Sequence, residues 1–108
     1  MTPRPEPATA EDLMRSRFAA FRDGDAGWIL HTWHPSTRPA SLDLAENPAW
    51  RGLQIVDVVR GREGDSDGVV EFRATFRTAE GVGVLHERSR FVREDGRWLY
   101  VDGEVRGH

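Results

Sequence analysis

Six side chains of this sequence have types that could do chemistry together: Arg17, His34, Glu87, Ser89, Tyr100 and Asp102. A carboxylate held among apolar side chains can take a proton, a tyrosine can donate to a developing oxyanion, and a histidine can carry protons near neutral pH. The same groups, walled by Trp33 and Trp98, can equally bind a small molecule without transforming it. They can also close into a structural network, with Arg17 paired to Glu87 or Asp102 while Ser89 and Tyr100 complete the hydrogen bonds. Buried ions are usually paired, so this last arrangement makes the least demand on the charges.

Which of these holds depends on the elements that position them. Residues 84–104, VLHERSRFVREDGRWLYVDGE, read as a β-hairpin turning at Asp95-Gly96, because both residues tolerate the positive φ of a type I′ turn. With that turn, Glu94 faces Arg97, Phe91 faces Tyr100 and Ser89 faces Asp102. Alternation then places Leu85, Glu87, Ser89, Phe91, Trp98, Tyr100 and Asp102 on one face. Arg17 comes from a helix. Thr9 followed by Asp12 has the form of a capping box, and the helix should run to Asp23 with Gly24 as a left-handed stop. Leu13, Met14, Phe18 and Phe21 form its apolar stripe, and Arg17 falls near the middle of it.

Asp25 can cap a second helix reaching Trp33 and stopped by Pro35, with Ala26, Ile29, Leu30 and Trp33 on its inner face, Trp28 and His31 on the other side, and His34 at its end. Residues 34–41 read as loop, and residues 40–46 as one helical turn. The rest is strand: LQIVDVVR at 53–60, the cleanly alternating VVEFRATFR at 69–77, and the hairpin, joined by the turn-rich segments 61–68 and 78–81. Helices first and an antiparallel sheet after give an α+β class, N-terminal helices packed on one face of a curved sheet. The proline-rich residues 1–8 read as a flexible arm, and 9–108 as a single domain.

Composition removes whole classes of chemistry. All 15 basic residues are arginine and there is no cysteine, which excludes lysine Schiff bases, thiol catalysis, disulfides and thiolate metal sites. His31, His34, His86 and Glu87 do not converge: the two helical histidines diverge by about 60°, and His86 and Glu87 point to opposite faces of a strand. No metal and no cofactor are expected. The net charge of −3 argues against nucleic acid, and the outer-face arginines Arg73, Arg77, Arg88 and Arg90 with His86 read as a solvated stripe balanced by Glu71. No apolar run approaches the roughly 20 residues of a membrane span, and MTPRPEPA lacks the apolar core of a secretion signal, so a cytoplasmic protein is expected. Val84, Val92, Leu99 and Val101 put apolar groups on the outer face, which a homodimer through that face would cover.

Several segments carry a resemblance. TAEDLMRSRFAAFRDGDAGWILHTWHPSTRPA, WRGLQI, VEFRATFR and LHERSRFVREDGRWLYVDGE together resemble the YchJ-like family of uncharacterised bacterial proteins, over nearly the whole chain from Thr9 to Glu104. The resemblance implies a fold similar to that of nuclear transport factor 2, a cone of helices closed by a curved antiparallel sheet with a pocket in its mouth. Many members carry cysteine-rich SEC-C motifs at their ends, similar to small zinc-binding elements. This chain has none, so no zinc role is carried over. The cone fold also hosts isomerase-like and dehydratase-like chemistry, in which Glu87 or Asp102 would be the base, Tyr100 the oxyanion donor and His34 the proton carrier. The reading preferred here is a pocket-bearing module that binds a small molecule without chemistry of its own, lined by Arg17, Trp33, His34, Glu87, Ser89, Trp98, Tyr100 and Asp102. A homodimeric interaction module with a filled core is the alternative, and an acid/base enzyme a second one.

Overall fold

The computed structural model describes residues 4–106. The first helix, α1, spans Ala10–Asp23; the Thr9 side chain accepts from the Asp12 N–H at 3.1 Å, and Gly24 closes the helix at φ 73°. This satisfies orphan groups at both ends. The second helix, α2, spans Ala26–His31, capped by the Asp25 carboxylate on the Trp28 N–H. It stops two residues short of the Trp33 expected from sequence. The chain leaves the helix because its backbone finds a better partner: Thr32 O accepts from Tyr100 N at 2.8 Å, and His34 N donates to Tyr100 O at 2.7 Å.

Four strands follow, β1 Ala49–Arg60, β2 Asp67–Thr78, β3 Gly81–Glu94 and β4 Arg97–Val105, paired in sequence order as an antiparallel meander. The turn between β3 and β4 is at Asp95-Gly96, both with positive φ, and Glu94–Arg97 and Phe91–Tyr100 face each other as the hairpin signal requires. Ser89 does not face Asp102. An irregularity between Arg90 and Phe91 gives β4 one extra residue, Val101, so Arg90 faces Asp102 and Ser89 faces Gly103. A one-residue slip sends every side chain beyond it to the opposite face.

The inner face of the sheet packs under α1. Ala10, Leu13 and Met14 bury against Val70, Phe72, Ala74, Phe91 and Trp98. Each of the larger apolar side chains contributes about 1.5–3 kcal/mol on leaving water. The start of α1 sits directly on the β1–β2 connection: Ala10 N donates to Gly61 O at 2.9 Å, and a Cβ on Gly68 would lie 2.5 Å from the Gly61 Cα. Only glycine lets these backbones approach so closely.

A second, smaller cluster holds Ala20, Trp28 and Ile29, with Phe21, Trp33, Leu42 and Leu44 against it. This corrects two expectations. Trp28, placed on the far side of α2, is buried, and residues 40–46 form no helix: Leu42 and Leu44 pack on the cluster, and Leu44 O accepts from Asn47 N at 3.0 Å. The arm from Arg4 to Ala8 is tied to the domain. Arg4 bridges Asp23 and Asp25, both at 3.1 Å, and the Ala8 carbonyl accepts from the Trp98 indole at 3.1 Å. The remainder of the expected arm, residues 1–3, lies outside the described residues. No helix among the described residues is long and apolar enough to cross a membrane.

Candidate functional site

Between α1 and the inner sheet face the packing leaves a cavity of about 170 Å³. Met14, Arg17, Phe18 and Phe21 come down from α1; Phe72 and Ala74, Leu85, Glu87 and Ser89, and Tyr100 come up from β2, β3 and β4; Trp33 and Trp50 close the sides. Trp33 stands edge-on to Tyr100 with ring centroids 5.3 Å apart, and Trp50 meets both Phe18 and Phe76 edge-on. Edge-to-face contacts of this kind fix ring orientation as well as burying area.

Five of the eight residues singled out in the sequence line this cavity: Arg17, Trp33, Glu87, Ser89 and Tyr100. Three do not, each for a stated reason. Asp102 is turned to the outer face by the Val101 slip and pairs there with Arg90 through two 2.7 Å bonds, which hold its carboxyl below the usual range. His34 points its ring to the Glu94 carboxylate at 2.7 Å, while its Nδ1 accepts from the Ser36 N–H at 3.0 Å. Trp98 is on the expected face but only 1% exposed, packed in the core below the cavity floor.

Arg17 is 3% exposed and has no carboxylate within ion-pair distance among the described residues. This corrects the expected pairing with Glu87 or Asp102. Its Nη1 instead donates to Ile29 O at 2.8 Å and to Thr32 Oγ1 at 2.7 Å. The guanidinium carbon lies 4.4 Å from the Tyr100 ring centroid, 5.2 Å from Trp33 and 5.9 Å from Phe21, so aromatic faces take the place of a counter-charge. Burial draws its pKa down to about 10, and the negative charge of Glu87 works in the other direction. It is a cation at neutral pH.

Glu87 is half-buried, accepts from Ser89 Oγ at 2.7 Å, and rests against Gly103, where a Cβ would fall 2.1 Å from its Oε2. Gly103 is thus the seat of the carboxylate, and sequence reasoning missed it. The signal was present, since a glycine inside a strand marks a bulge or a close approach. Thr32 and the aromatic residues Phe18, Phe21 and Trp50 were missed as site residues for a plainer reason: nothing in their spacing distinguishes a wall from a core.

The segment from Thr32 to Arg38 positions Trp33. Besides the two backbone bonds to Tyr100, Thr37 Oγ1 donates to the carbonyl of Val101, accepts from the Trp33 indole at 3.2 Å, and Arg38 Nε donates to Trp33 O at 3.0 Å. The bulge and the TWHPSTRP segment therefore meet, and together they hold one wall of the cavity.

Tyr100 is the sole tyrosine, and burial, with the Glu87 charge second, pushes its phenol up to about 12. The unfolded chain would ionise it near 10, so this group's contribution to stability is complete below about pH 10 and is lost as pH rises toward 12. Arg17 contributes with the opposite sign in that range, so phenolate absorbance is the cleaner readout. An ultraviolet titration of the folded protein should show the phenol ionising near 12. A midpoint near 10, with native circular dichroism retained, would contradict the buried placement of Tyr100.

On the outer face, Arg88 bonds Asp57 at 3.1 Å and Glu71 at 2.8 Å, and His86 bonds Glu71 at 2.7 Å. His86 and Arg88 of the expected basic stripe are thereby neutralised within the chain, by a Glu71 carboxylate that is itself partly buried. Leu99, expected on a face needing cover, is only 6% exposed, whereas Val82 and Val84 stand open.

A helix on the inner face of a four-stranded antiparallel meander, a second helix packed against the first and a pocket between the layers are consistent with an NTF2-like domain. Residues 9–103 match the model of the YchJ middle NTF2-like domain, and the chain belongs to the YchJ family. It is 55% identical over 96 residues to a UPF0225 protein of Streptomyces coelicolor, covering 89% of this chain and 74% of that one. It is 48% identical over 100 residues to a UPF0225 protein of Chromobacterium violaceum, covering 90% and 74%. Among solved structures, a SEC-C motif-containing protein from Rhodopseudomonas palustris superposes with a TM-score of 0.82 at 32% identity, over 95% of this chain and 83% of that one. A second SEC-C motif-containing protein, from Psychrobacter arcticus, gives 0.75 at 28%, over 99% and 66%.

Proposed function

We propose that this domain is a small-molecule-binding module, with the sheet curling round α1 as a cone and the ligand held in the cavity between them. The single observation that supports it is the cavity itself. A half-open pocket of about 170 Å³ between the layers leaves aromatic and aliphatic surface uncovered that a ligand would bury. Its walls are mostly aromatic and aliphatic with a few convergent polar groups, the usual composition of a ligand site. An apolar cavity of about 150 Å³ already accepts a benzene-sized guest, so a single-ring molecule is the right scale. In this reading the protein works in the cytoplasm, where a cysteine-free chain is unremarkable, and catalyses nothing by itself.

Native mass spectrometry of protein purified without denaturation, with a thermal-shift screen of single-ring compounds, tests the reading. A non-covalent organic adduct, or a raised melting temperature with members of the screen, is the expected result. A bare chain mass with no compound raising the melting temperature would overturn it.

A further inference from the structure

The cavity's polar groups are unevenly satisfied, and the unevenness has a chemical meaning. Arg17 spends Nη1 on Ile29 O and Thr32, while its Nε and Nη2 have no acceptor among the described residues. These nitrogens are not sealed off: the described buried side-chain atoms lacking a partner are Trp28 Nε1 and Arg97 Nε. Since Arg17 is 3% exposed and lines the cavity, its free donors have the cavity to face. Glu87 likewise spends Oε2 on Ser89, and its Oε1 has no donor among the described residues. The Tyr100 hydroxyl, also on the cavity wall, has no partner among them either.

We infer that the cavity selects a neutral, planar, single-ring molecule carrying a carbonyl oxygen beside an N–H or O–H, the carbonyl accepting from Arg17 and Tyr100 and the donor bonding Glu87. This rests on the ligand-binding reading above and specifies the chemistry of its ligand. The charges decide for a neutral head. Arg17 and Glu87 already balance each other across the cavity without touching, so a ligand carboxylate would add a second negative charge beside Glu87 among mostly apolar walls. A purely apolar guest would cover the free donors of Arg17 and leave them dry, which a site built around hydrogen bonds rejects strongly. The aromatic walls supply the flat slot for the ring.

Four nearly isosteric compounds separate these possibilities on the unmodified protein: cumene, acetophenone, benzamide and benzoate, titrated at neutral pH with Trp33 and Trp50 fluorescence as the signal. Benzamide should bind tightest, acetophenone next, and cumene at least about tenfold more weakly than benzamide. Arg17→Met, checked for native circular dichroism, should abolish the preference of benzamide over cumene. Tyr100→Phe should weaken acetophenone and benzamide but leave cumene unchanged. Cumene matching or exceeding benzamide would overturn the inference while leaving the binding reading intact. Benzoate binding tighter than benzamide would overturn the neutral head in favour of an anion site. No measurable binding of all four would overturn the binding reading, and this inference with it.

Discussion

Trp98→Ala should destabilise the domain by about 3–5 kcal/mol, the range for removing a large aromatic side chain from a packed core. Trp98 is 1% exposed, lies in the cluster with Leu13, Phe72 and Phe91, and ties the N-terminal arm through its indole N–H to the Ala8 carbonyl. A domain of this size has about 5–15 kcal/mol in total, so the variant should be close to unfolding at ambient temperature. Trp98→Phe keeps a ring in the site and should cost distinctly less, reflecting the lost hydrogen bond and some volume. Urea unfolding of the three proteins reads the difference directly. A cost below about 1 kcal/mol for the alanine variant would mean that Trp98 is a pocket wall with room to relax, as its strand alternation alone would have allowed.

The second large effect is at Arg17. Arg17→Ala should cost roughly 2–4 kcal/mol, because it removes two charge-assisted hydrogen bonds, the stem packed on α1's apolar side and three aromatic contacts. Arg17→Met should cost much less. Methionine refills most of the volume, and Thr32 keeps a partner, its hydroxyl donating to Trp28 O at 2.8 Å. Relief of the buried charge offsets part of what remains. A double-mutant cycle with Glu87→Gln should give a coupling energy well below the roughly 3–5 kcal/mol of a broken direct buried pair, since only the through-space attraction of the two charges is there to lose. Methionine as damaging as alanine, with Glu87→Gln recovering the loss, would show that the two charges pair directly in solution.

The order of elements was legible in the sequence because its local signals are strong: Thr9 and Gly24 bracket α1, Asp25 opens α2, and Asp95-Gly96 with the alternation of residues 69–77 fixes the meander. On β3 the alternation places Leu85, Glu87 and Ser89 correctly, whereas on β4 the site was legible up to Tyr100 and no further. Beyond that point the Val101 slip reverses the faces of β4, and alternation counted from the turn carries Asp102 inward when it belongs outside. Gly103 was the available hint. Arg17 was correctly placed on a buried face, but a helical wheel gives direction and not partner. Its carbonyl and hydroxyl acceptors come from the end of α2, a tertiary contact with no periodic signature. Trp98 and Tyr100 share one face of β4, and what separates core from pocket wall is packing, which spacing does not encode.

Intermolecular nuclear Overhauser effects between acetophenone and the methyl groups of Met14 and Leu85 would place a ligand beneath α1. These two methyl-bearing side chains sit on opposite walls of the cavity, one from α1 and one from β3. Effects to both are expected, together with ring protons of Trp33 and Trp50. Effects confined to the exposed outer valines Val82 and Val84, or none at a saturating concentration of acetophenone, would contradict a ligand site beneath α1.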